Sequence, residues 1–359
     1  MFVLTILDVF WTMTSQEARF EKIAGCLLGT ALGDSLGLPY EGLAPARAGR
    51  LMGQPDRHRF LLGRGMFSDD TEQTILIALA WLRHPHNPSA FQRDFANGLK
   101  RWLLCIPAGA GLATVRACLR LLAGVNPGHS GVNSAGNGAA MRSAILGAVG
   151  ATRDHVKESA SVTHRDPRAV EGSLLVAEAA RLAGPDQPEA QVLLARLSDE
   201  LPGDQLEFKQ LLKAAAESLA KAETTRDFAA SIGLENGVSG YVLHTVPVAF
   251  HAWLSAGGDF TKAAFSAIEC GGDSDTVAAI ACGLCGAEVG LSKIPQWMLD
   301  GLAEPIWSKQ NLIQLSRALA ETEALQLPKL RSWLTPLRNS LFLAVVLAHG
   351  FRRLLPPYR

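Results

Sequence analysis

The sequence has few charged residues, few aromatic residues and no excess of either charge. Only 19% of its 359 residues are charged and 7% are aromatic, and 34 basic side chains balance 34 acidic ones. A neutral chain lacks the basic surface of general nucleic-acid binders. Any phosphate-bearing partner must therefore be held by a local site. The hydrophobic fraction of 48% is typical of a globular protein with a well-buried core.

Long apolar runs are also missing. The first thirteen residues are apolar, but they lack a basic start and carry Asp8, which argues against a secretory signal. The longest later run falls short of the roughly 18 apolar residues that a membrane span requires. The six cysteines mostly lie in apolar helical patterns, where a free thiol behaves as a small hydrophobic group. We therefore expect reduced cysteines, no membrane span and a cytoplasmic protein.

Alternating patterns typical of β-strands are absent, whereas helical periodicity recurs along the chain. In the stretch 16–38, Gly25, Gly29 and Gly33 fall at every fourth position. This spacing places them on one helix face, where a second helix can approach closely. The sequence predicts a compact, multi-helix, all-α fold.

We divide the chain into three parts. Residues 1–18 form an apolar N-terminal extension, residues 19–325 form one large domain, and residues 326–359 form a C-terminal extension. The last part is mixed apolar and basic, and we expect it to be helical. We expect the protein to be a monomer.

Two acidic clusters lie about two hundred residues apart. They are Ser68-Asp69-Asp70-Thr71 and Gly271-Gly272-Asp273-Ser274-Asp275-Thr276, and each leads into an apolar helical pattern. Carboxylate and hydroxyl oxygens are ligands that Mg²⁺ and Mn²⁺ prefer. If the fold joins the clusters, they would hold two metal ions about 3.5–4 Å apart. The alternative is helix capping, but capping needs only one such residue per helix.

A glycine-rich loop, Gly131 to Arg142, leads into another helical pattern. Its glycines allow close backbone approach, and N–H groups at a helix start can bind an anion. The loop lacks the Gly-Lys-Ser/Thr of a P-loop. Contact with a phosphate or sugar and a tight helix crossing both explain it equally well. Thr163-His164 precedes a further helix, where a lone histidine is usually a structural residue.

Taken in order, these motifs resemble the ADP-ribosylglycohydrolase family, which includes the dinitrogenase reductase-activating glycohydrolases. The resemblance runs from residue 20 to about residue 295, most of the chain. It implies a compact all-α domain with a two-metal centre at the mouth of an ADP-ribose cleft. The stretches that carry it are Gly25-Cys-Leu-Leu-Gly-Thr-Ala-Leu-Gly-Asp34 with Glu41, Ser68-Asp-Asp-Thr71, Gly136-Asn-Gly-Ala-Ala-Met-Arg142, Thr163-His164 and Gly271-Gly-Asp-Ser-Asp-Thr276.

The resemblance also implies roles for individual residues. Two Mg²⁺ or Mn²⁺ ions would be held by Ser68, Asp69, Asp70, Asp273, Asp275 and Thr276. The ADP-ribose site would be lined by Ser134, Gly136, Asn137, Gly138 and His164, with Gly271 and Gly272 close to the ribose. Cleavage of a glycosidic bond also needs a carboxylate and an aligned water. We assign Glu41 as the candidate gate or acid/base, and Asp70 and Asp275 as the carboxylates that position water.

One departure from the family pattern bears on the substrate. Arginine-type members resemble Pro-x-Asp-x-Gly-x-x-Thr at the stretch that here runs from Pro107 to Thr114. Gly109 stands in place of the Asp that is proposed as a base in those enzymes. The Gly-Ala-Gly-x-x-Thr found here resembles instead the branch that cleaves ADP-ribose from serine, poly-ADP-ribose and O-acetyl-ADP-ribose. That branch also has a mobile glutamate where Glu41 stands.

We therefore expect a metal-dependent hydrolase that releases ADP-ribose from an O-linked acceptor on a protein or small molecule. The first alternative is a hydrolase of ADP-ribosyl-arginine or another N-linked conjugate. The second is a non-catalytic ADP-ribose-binding or toxin-immunity protein, although such a protein need not keep six metal ligands. The third is a two-metal phosphohydrolase, which would release inorganic phosphate rather than ADP-ribose.

Overall fold

The computed structural model describes residues 15–60, 62–321, 327, 328, 330 and 332–354. Most of the predicted N-terminal extension, residues 1–14, lies outside this part of the chain. The described α-helices, in chain order, are α1 Ser15–Gly37, α2 Pro45–Met52, α3 Asp69–Arg83, α4 Pro88–Leu104, α5 Leu112–Leu122, α6 Pro127–Ser130, α7 Ala144–Val149, α8 Arg153–Thr163, α9 Pro167–Leu182, α10 Ala190–Asp199, α11 Leu206–Ala220, α12 Thr225–Ser231, α13 Val242–Ala256, α14 Phe260–Ile268, α15 Ser274–Val289, α16 Gln296–Gly301, α17 Lys309–Ala320 and α18 Thr335–Arg352.

Short 3₁₀ turns connect some of these helices, at Leu38–Tyr40, Leu291–Lys293 and Ser332–Leu334. Within the described ranges, strand-like pairing is limited to isolated bridges between loops, such as Leu43 with Gly272. The predicted all-α fold is therefore confirmed. Among the described helices, none combines the length and apolar character needed to cross a bilayer.

The α1 helix packs closely against α15 at the centre of the molecule. A β-carbon at Gly25, Gly29 or Gly33 would lie 2.0, 2.2 or 2.1 Å from a carbonyl oxygen of α15. Only glycine permits this approach, so the predicted small-residue face is confirmed. The crossing brings the end of α1, with Asp34, next to the start of α15, where the second acidic cluster lies.

The core around this helix pair is continuous and apolar. All six cysteines are free thiols, and five of them, including Cys282 and Cys285 on α15, are buried. They contribute to packing as the sequence predicts.

A smaller apolar cluster lies beneath the loops that lead to the first acidic cluster. It contains Leu38, Phe60, Met66, Ala108 and Phe342. The last of these belongs to α18, and its ring lies 5.5 Å from that of Phe60. The C-terminal helix therefore packs directly against the chain segments that carry the site.

Candidate active site

The first acidic cluster is fixed in place by a carboxylate from α1. Asp34 is fully buried and accepts hydrogen bonds from the backbone N–H of Ser68 at 2.9 Å and of Thr71 at 3.1 Å. It also accepts one from the Thr71 hydroxyl at 2.6 Å. These bonds hold the turn at the start of α3, so that Asp69 and Asp70 project from a rigid backbone.

Neither acidic cluster caps its helix through a side chain. Ser68 precedes α3, but its hydroxyl contacts Asp70 Oδ2 at 3.3 Å instead of a backbone N–H. Asp273 precedes α15, and its Oδ2 accepts from Asn137 Nδ2 at 2.6 Å. The capping explanation of the clusters is therefore wrong.

The fold joins the two clusters, which are about two hundred residues apart in sequence. One carboxylate oxygen from each of Asp34, Asp70 and Asp275 lies within 4.8 Å of the other two. The Thr276 hydroxyl lies 3.4 Å from Asp70 Oδ2 and donates to it, which links α15 to α3. We refer to Asp34, Asp70 and Asp275 as the acidic wall.

The acidic wall has the properties of a cation site. Burial raises the pKa of Asp70 and Asp275 well above the usual range, and neighbouring carboxylates raise it further. Burial also raises the pKa of Asp34 to about 6, against hydrogen bonds from Thr71 and Ser68 that lower it. Among the described residues, Asp70 Oδ1 and Asp275 Oδ1 are buried without a hydrogen-bond partner.

Buried carboxylate oxygens normally have hydrogen-bond partners, cationic partners or metals. Unpaired oxygens on converging acids therefore fit divalent cations, which neutralise such a group and take oxygen ligands. Of the other predicted ligands, Asp69, Asp273 and Thr276 line the same cleft, whereas Ser68 lies behind Asp70. One oxygen of Asp69 already accepts a bond from Gln73 at 3.2 Å.

Asp70 and Asp275 of the acidic wall line one side of a cleft of about 580 Å³, a volume within the range of small-molecule sites. Asp34 is fully buried. Glu41 and all but one of the predicted substrate-binding residues line it: Ser134, Gly136, Asn137, Gly138, His164 and Gly272. The exception, Gly271, packs against Leu43 and Pro45 behind Gly272. We refer to Asn137, Gly138 and His164 as the neutral wall.

The neutral wall is held by a buried arginine. Arg142 donates to the carbonyl of Gly138 at 2.5 Å, the hydroxyl of Thr163 at 2.7 Å and the side-chain oxygen of Gln73 at 2.7 Å. Gln73 in turn donates to Asp69. The guanidinium of Arg142 therefore connects the glycine-rich loop, the histidine segment and, through Gln73, the first acidic cluster.

This network affects the protonation of His164. Burial, with a smaller contribution from the charge of Arg142, lowers the pKa of His164 to about 3, so the ring is neutral at physiological pH. The Thr163 hydroxyl accepts from Arg142 and lies 2.9 Å from His164 Nδ1. In the tautomer in which this hydroxyl donates to Nδ1, the ring proton lies on Nε2, next to Gly136 in the cleft.

The two glycines of the second cluster join three loops. Gly271 and Gly272 have φ values of 66° and 73°, a conformation that favours glycine. Gly272 N donates to Leu43 O at 2.8 Å, and Gly42 N donates to Gly272 O at 2.7 Å. A β-carbon on Gly272 would lie 2.0 Å from Val238 O. The loop that carries Glu41 is thus hydrogen-bonded to the backbone of the second cluster.

Glu41 lies at the mouth of the cleft and remains accessible to solvent. Partial burial raises the pKa of its carboxyl, and the charge of Asp273 raises it further, while Arg353 lowers it. A carboxyl with a raised pKa at the edge of a cleft can accept or donate a proton near neutral pH.

Comparison with known proteins assigns the chain to a family. The sequence model of the family described as ADP-ribosylglycohydrolase matches residues 15–328. The chain belongs to the ADP-ribosylglycohydrolase family. Human ADP-ribosylhydrolase ARH3 is 26% identical over 77% of this chain and 87% of that protein. ADP-ribosylarginine hydrolase Tri1 of Pseudomonas putida is 28% identical over 86% of this chain and 80% of that protein.

A solved structure agrees with this assignment. A chain described as an ADP-ribosylglycohydrolase-related protein complex superposes with a TM-score of 0.57 and 26% identity. The match covers 85% of this chain and 98% of the other. The resemblance to the family that the motifs predicted is therefore confirmed.

Several residues of this ADP-ribosylglycohydrolase site are not among the sequence-based candidates. Asp34 lies in the first motif, but a carboxylate within an apolar helical pattern carries no signal of a site residue. Arg142 ends the glycine-rich motif and likewise carries no sequence signal of its role. Val238 and Gly240 line the cleft through a loop that has no sequence signal of its own. A charged residue at 0% exposure is the property that distinguishes Asp34 and Arg142, and only the structure shows it.

Proposed function

We propose that the protein is a metal-dependent hydrolase that cleaves the glycosidic bond between ADP-ribose and an O-linked acceptor, releasing ADP-ribose. ADP-ribosyl-serine and O-acetyl-ADP-ribose are the substrate types we propose. The observation that carries the proposal is the cleft itself, in which unpaired buried carboxylates face a neutral, glycine-rich wall. The first wall suits cations and the second suits an uncharged or anionic ligand.

The cations would be two Mg²⁺ or Mn²⁺ ions. When bound, they would supply positive charge that polarises the reacting oxygens. The residues we propose to hold them are Ser68, Asp69, Asp70, Asp273, Asp275 and Thr276, with Asp34 positioned among them. Asp70 and Asp275 would also accept hydrogen bonds from the attacking water and orient it. Their negative charge would favour the positive character that develops at the anomeric carbon.

The neutral wall would bind the ADP-ribose. His164 Nε2 lies next to Gly136, and in the tautomer that places the ring proton there it would donate to a ligand oxygen without carrying a charge of its own. Gly136 and Gly138 have no side chains to block the approach of a ligand to their backbone. We propose that Ser134 and Asn137 also contact the ADP-ribose. Ser134 Oγ accepts a hydrogen bond from Gly136 N, and Asn137 Nδ2 donates one to Asp273, which holds this loop in place.

Glu41 would exchange a proton with the acceptor oxygen. Its raised pKa suits a group that donates a proton to a leaving oxygen, because the protonated form persists nearer to neutral pH. Its position at the mouth also suits the alternative role of a gate.

Gly109 supports an O-linked acceptor. It lines the cleft with φ of 89°, and a β-carbon there would lie 3.2 Å from Asp69 Oδ1. An aspartate at this position would be strained and would add a further acid next to Asp69. The arrangement therefore lacks the base proposed for arginine-type members.

The test is mass spectrometry of products from a panel of conjugates with Mg²⁺ or Mn²⁺. We expect free ADP-ribose from seryl- and O-acetyl-linked substrates. If only arginine-linked ADP-ribose is cleaved, the protein is the N-linked alternative and the proposal is wrong. Release of inorganic phosphate would indicate a phosphohydrolase, and binding of ADP-ribose without cleavage of any conjugate would indicate a non-catalytic protein.

A further inference from the structure

The C-terminal helix α18 lies beyond residues 15–328, the part that matches the family. Its two ends nevertheless contact two of the segments that supply proposed catalytic acids, the loop of Glu41 and the residue before the first acidic cluster, which carries Asp70. These contacts are hydrogen bonds from buried or partly buried side chains to backbone carbonyls. They give this chain a component of the site that the family match does not contain.

The far end of α18 binds the loop of Glu41. The guanidinium of Arg353 donates to the carbonyl of Glu41 at 2.6 Å and to the carbonyl of Pro39 at 3.0 Å. His349 Nε2 lies 3.0 Å from the same Pro39 carbonyl and donates to it. Three N–H donors from the last turn of α18 and the residue that follows it thus meet two carbonyls on either side of Tyr40.

The near end of α18 is anchored in the protein interior. Arg338 is 5% exposed, forms ion pairs with Glu72 at 2.7 Å and with Glu304, and donates to Phe67 O at 2.7 Å. Glu304 accepts from Phe67 N at 3.0 Å. The residue before Ser68 is therefore bonded at both its N–H and its carbonyl. A buried, doubly paired arginine of this kind fixes the start of the helix.

We propose that Arg353 is a positioning residue for Glu41, with α18 as the rigid support that connects it to the first acidic cluster. The inference rests on the proposed function, since that gives Glu41 its role. A guanidinium is a planar fork that can bind two carbonyls at once, which an ammonium group on a flexible stem does not do as well. Loss of the fork frees the carbonyl of Glu41 and lets its carboxylate leave the position that catalysis needs.

The direct test is a double-mutant cycle with Arg353→Ala and Glu41→Gln. We expect Arg353→Ala to lower kcat about tenfold, the effect of losing a charge-assisted hydrogen-bond pair. ADP-ribose affinity should change less than about twofold, because the neutral wall is untouched. In the Glu41→Gln background, Arg353→Ala should lower kcat no further, since residues that act as a unit are not additive. Additive losses would overturn the proposal.

Two further variants separate geometry from charge and from general destabilisation. Arg353→Lys keeps the charge and should lose kcat as Arg353→Ala does; full activity would show that the fork is not what matters. Arg50→Ala removes an exposed arginine from nearby α2, where, among the described residues, it hydrogen-bonds to the carbonyl of Ala46 in its own helix. It should retain full activity, and a loss equal to that of Arg353→Ala would overturn the proposal.

A measurement that needs no substrate distinguishes failure of this inference from failure of the proposed function. Hydrogen exchange of the peptide spanning residues 38–44 should accelerate in Arg353→Ala and Arg353→Lys, and should be unchanged in Arg50→Ala. Unchanged exchange in both Arg353 variants would overturn the positioning role, whatever reaction the protein catalyses. If exchange accelerates in the Arg353 variants but the protein cleaves none of the conjugates, the contact between Arg353 and the Glu41 loop stands and the proposed function is wrong.

Discussion

Asp70 and Asp275 on the acidic wall each keep a buried oxygen without a hydrogen-bond partner among the described residues, whereas Asn137 and His164 on the neutral wall bond to protein groups. The first wall stores unfavourable charge that a bound cation would relieve. The second is complete once the chain has folded. The acidic wall is therefore built at a cost in stability and the neutral wall is not. Substitutions on each wall test this difference.

The largest effect is expected on the acidic wall. Asp275→Asn removes a carboxylate that would position water and hold a cation, so activity should fall about a thousandfold or more. The metal-free protein should be equally or more stable, because a buried unpaired charge has been removed. Activity assays and thermal unfolding without metal check both parts. Full activity in a folded Asp275→Asn or Asp70→Asn protein would contradict the mechanism.

The next effect is on stability as pH changes. Asp34, Asp70 and Asp275 keep their protons to higher pH when folded than when unfolded. Between pH about 4, the ordinary Asp value, and pH about 6, the pKa of Asp34, the folded state therefore binds more protons than the unfolded state does. The free energy of unfolding falls as pH rises through that window, and the raised pKa values of Asp70 and Asp275 add to the fall.

Thermal unfolding in a chelating buffer measures this dependence. We expect the metal-free protein to melt several degrees higher near pH 5 than near pH 8. Mg²⁺ or Mn²⁺ should remove most of the difference, since bound cations stabilise the ionised wall and bind better as the carboxyls deprotonate. A metal-free Tm that rises between pH 5 and pH 8 would show that the acidic wall carries no unpaired charge.

On the neutral wall we expect a smaller effect that is confined to ligand binding. Thr163→Val removes the hydroxyl 2.9 Å from His164 Nδ1 that we propose keeps the ring proton on Nε2, so ADP-ribose should bind about tenfold more weakly. Affinity for Mn²⁺ should stay within about twofold. Calorimetric titration measures both quantities. Thr163→Ser restores the hydroxyl and should restore binding; equal weakening in both variants would point to packing instead.

The smallest effect is expected at Gly109, which lies beside Asp69 in the cleft. Gly109→Ala places a β-carbon 3.2 Å from Asp69 Oδ1 at a φ of 89°, and should cost about 1 kcal/mol with a severalfold loss of activity. Gly111→Ala is the matched control, because its φ is −60° and no atom lies within 4 Å of its β-carbon. Thermal unfolding and kcat should be nearly unchanged in that control. Equal effects in both variants would show that the positive φ of Gly109 and its closeness to Asp69 are not what matters.

Much of the site was predictable because its residues are local in sequence. Ser68 to Thr71 and Asp273 to Thr276 cluster short oxygen-bearing side chains before a helix, and that density exceeds what capping requires. Asp34 was not predictable as part of the acidic wall, since its neighbours in the chain are apolar. Its partners, Ser68 and Thr71, lie more than thirty residues away. Arg142 was hidden for the same reason.

The sequence by itself determined the helical class, the close approach of one helix through Gly25, Gly29 and Gly33, and the chemical types of the two clusters. Periodicity and side-chain chemistry are local properties and can be read in order along the chain. Only the tertiary structure decided that the clusters meet, that Asp34 joins them and that Arg353 bonds to the loop of Glu41. Those relations depend on which distant surfaces pack together, and packing is a property of the whole fold.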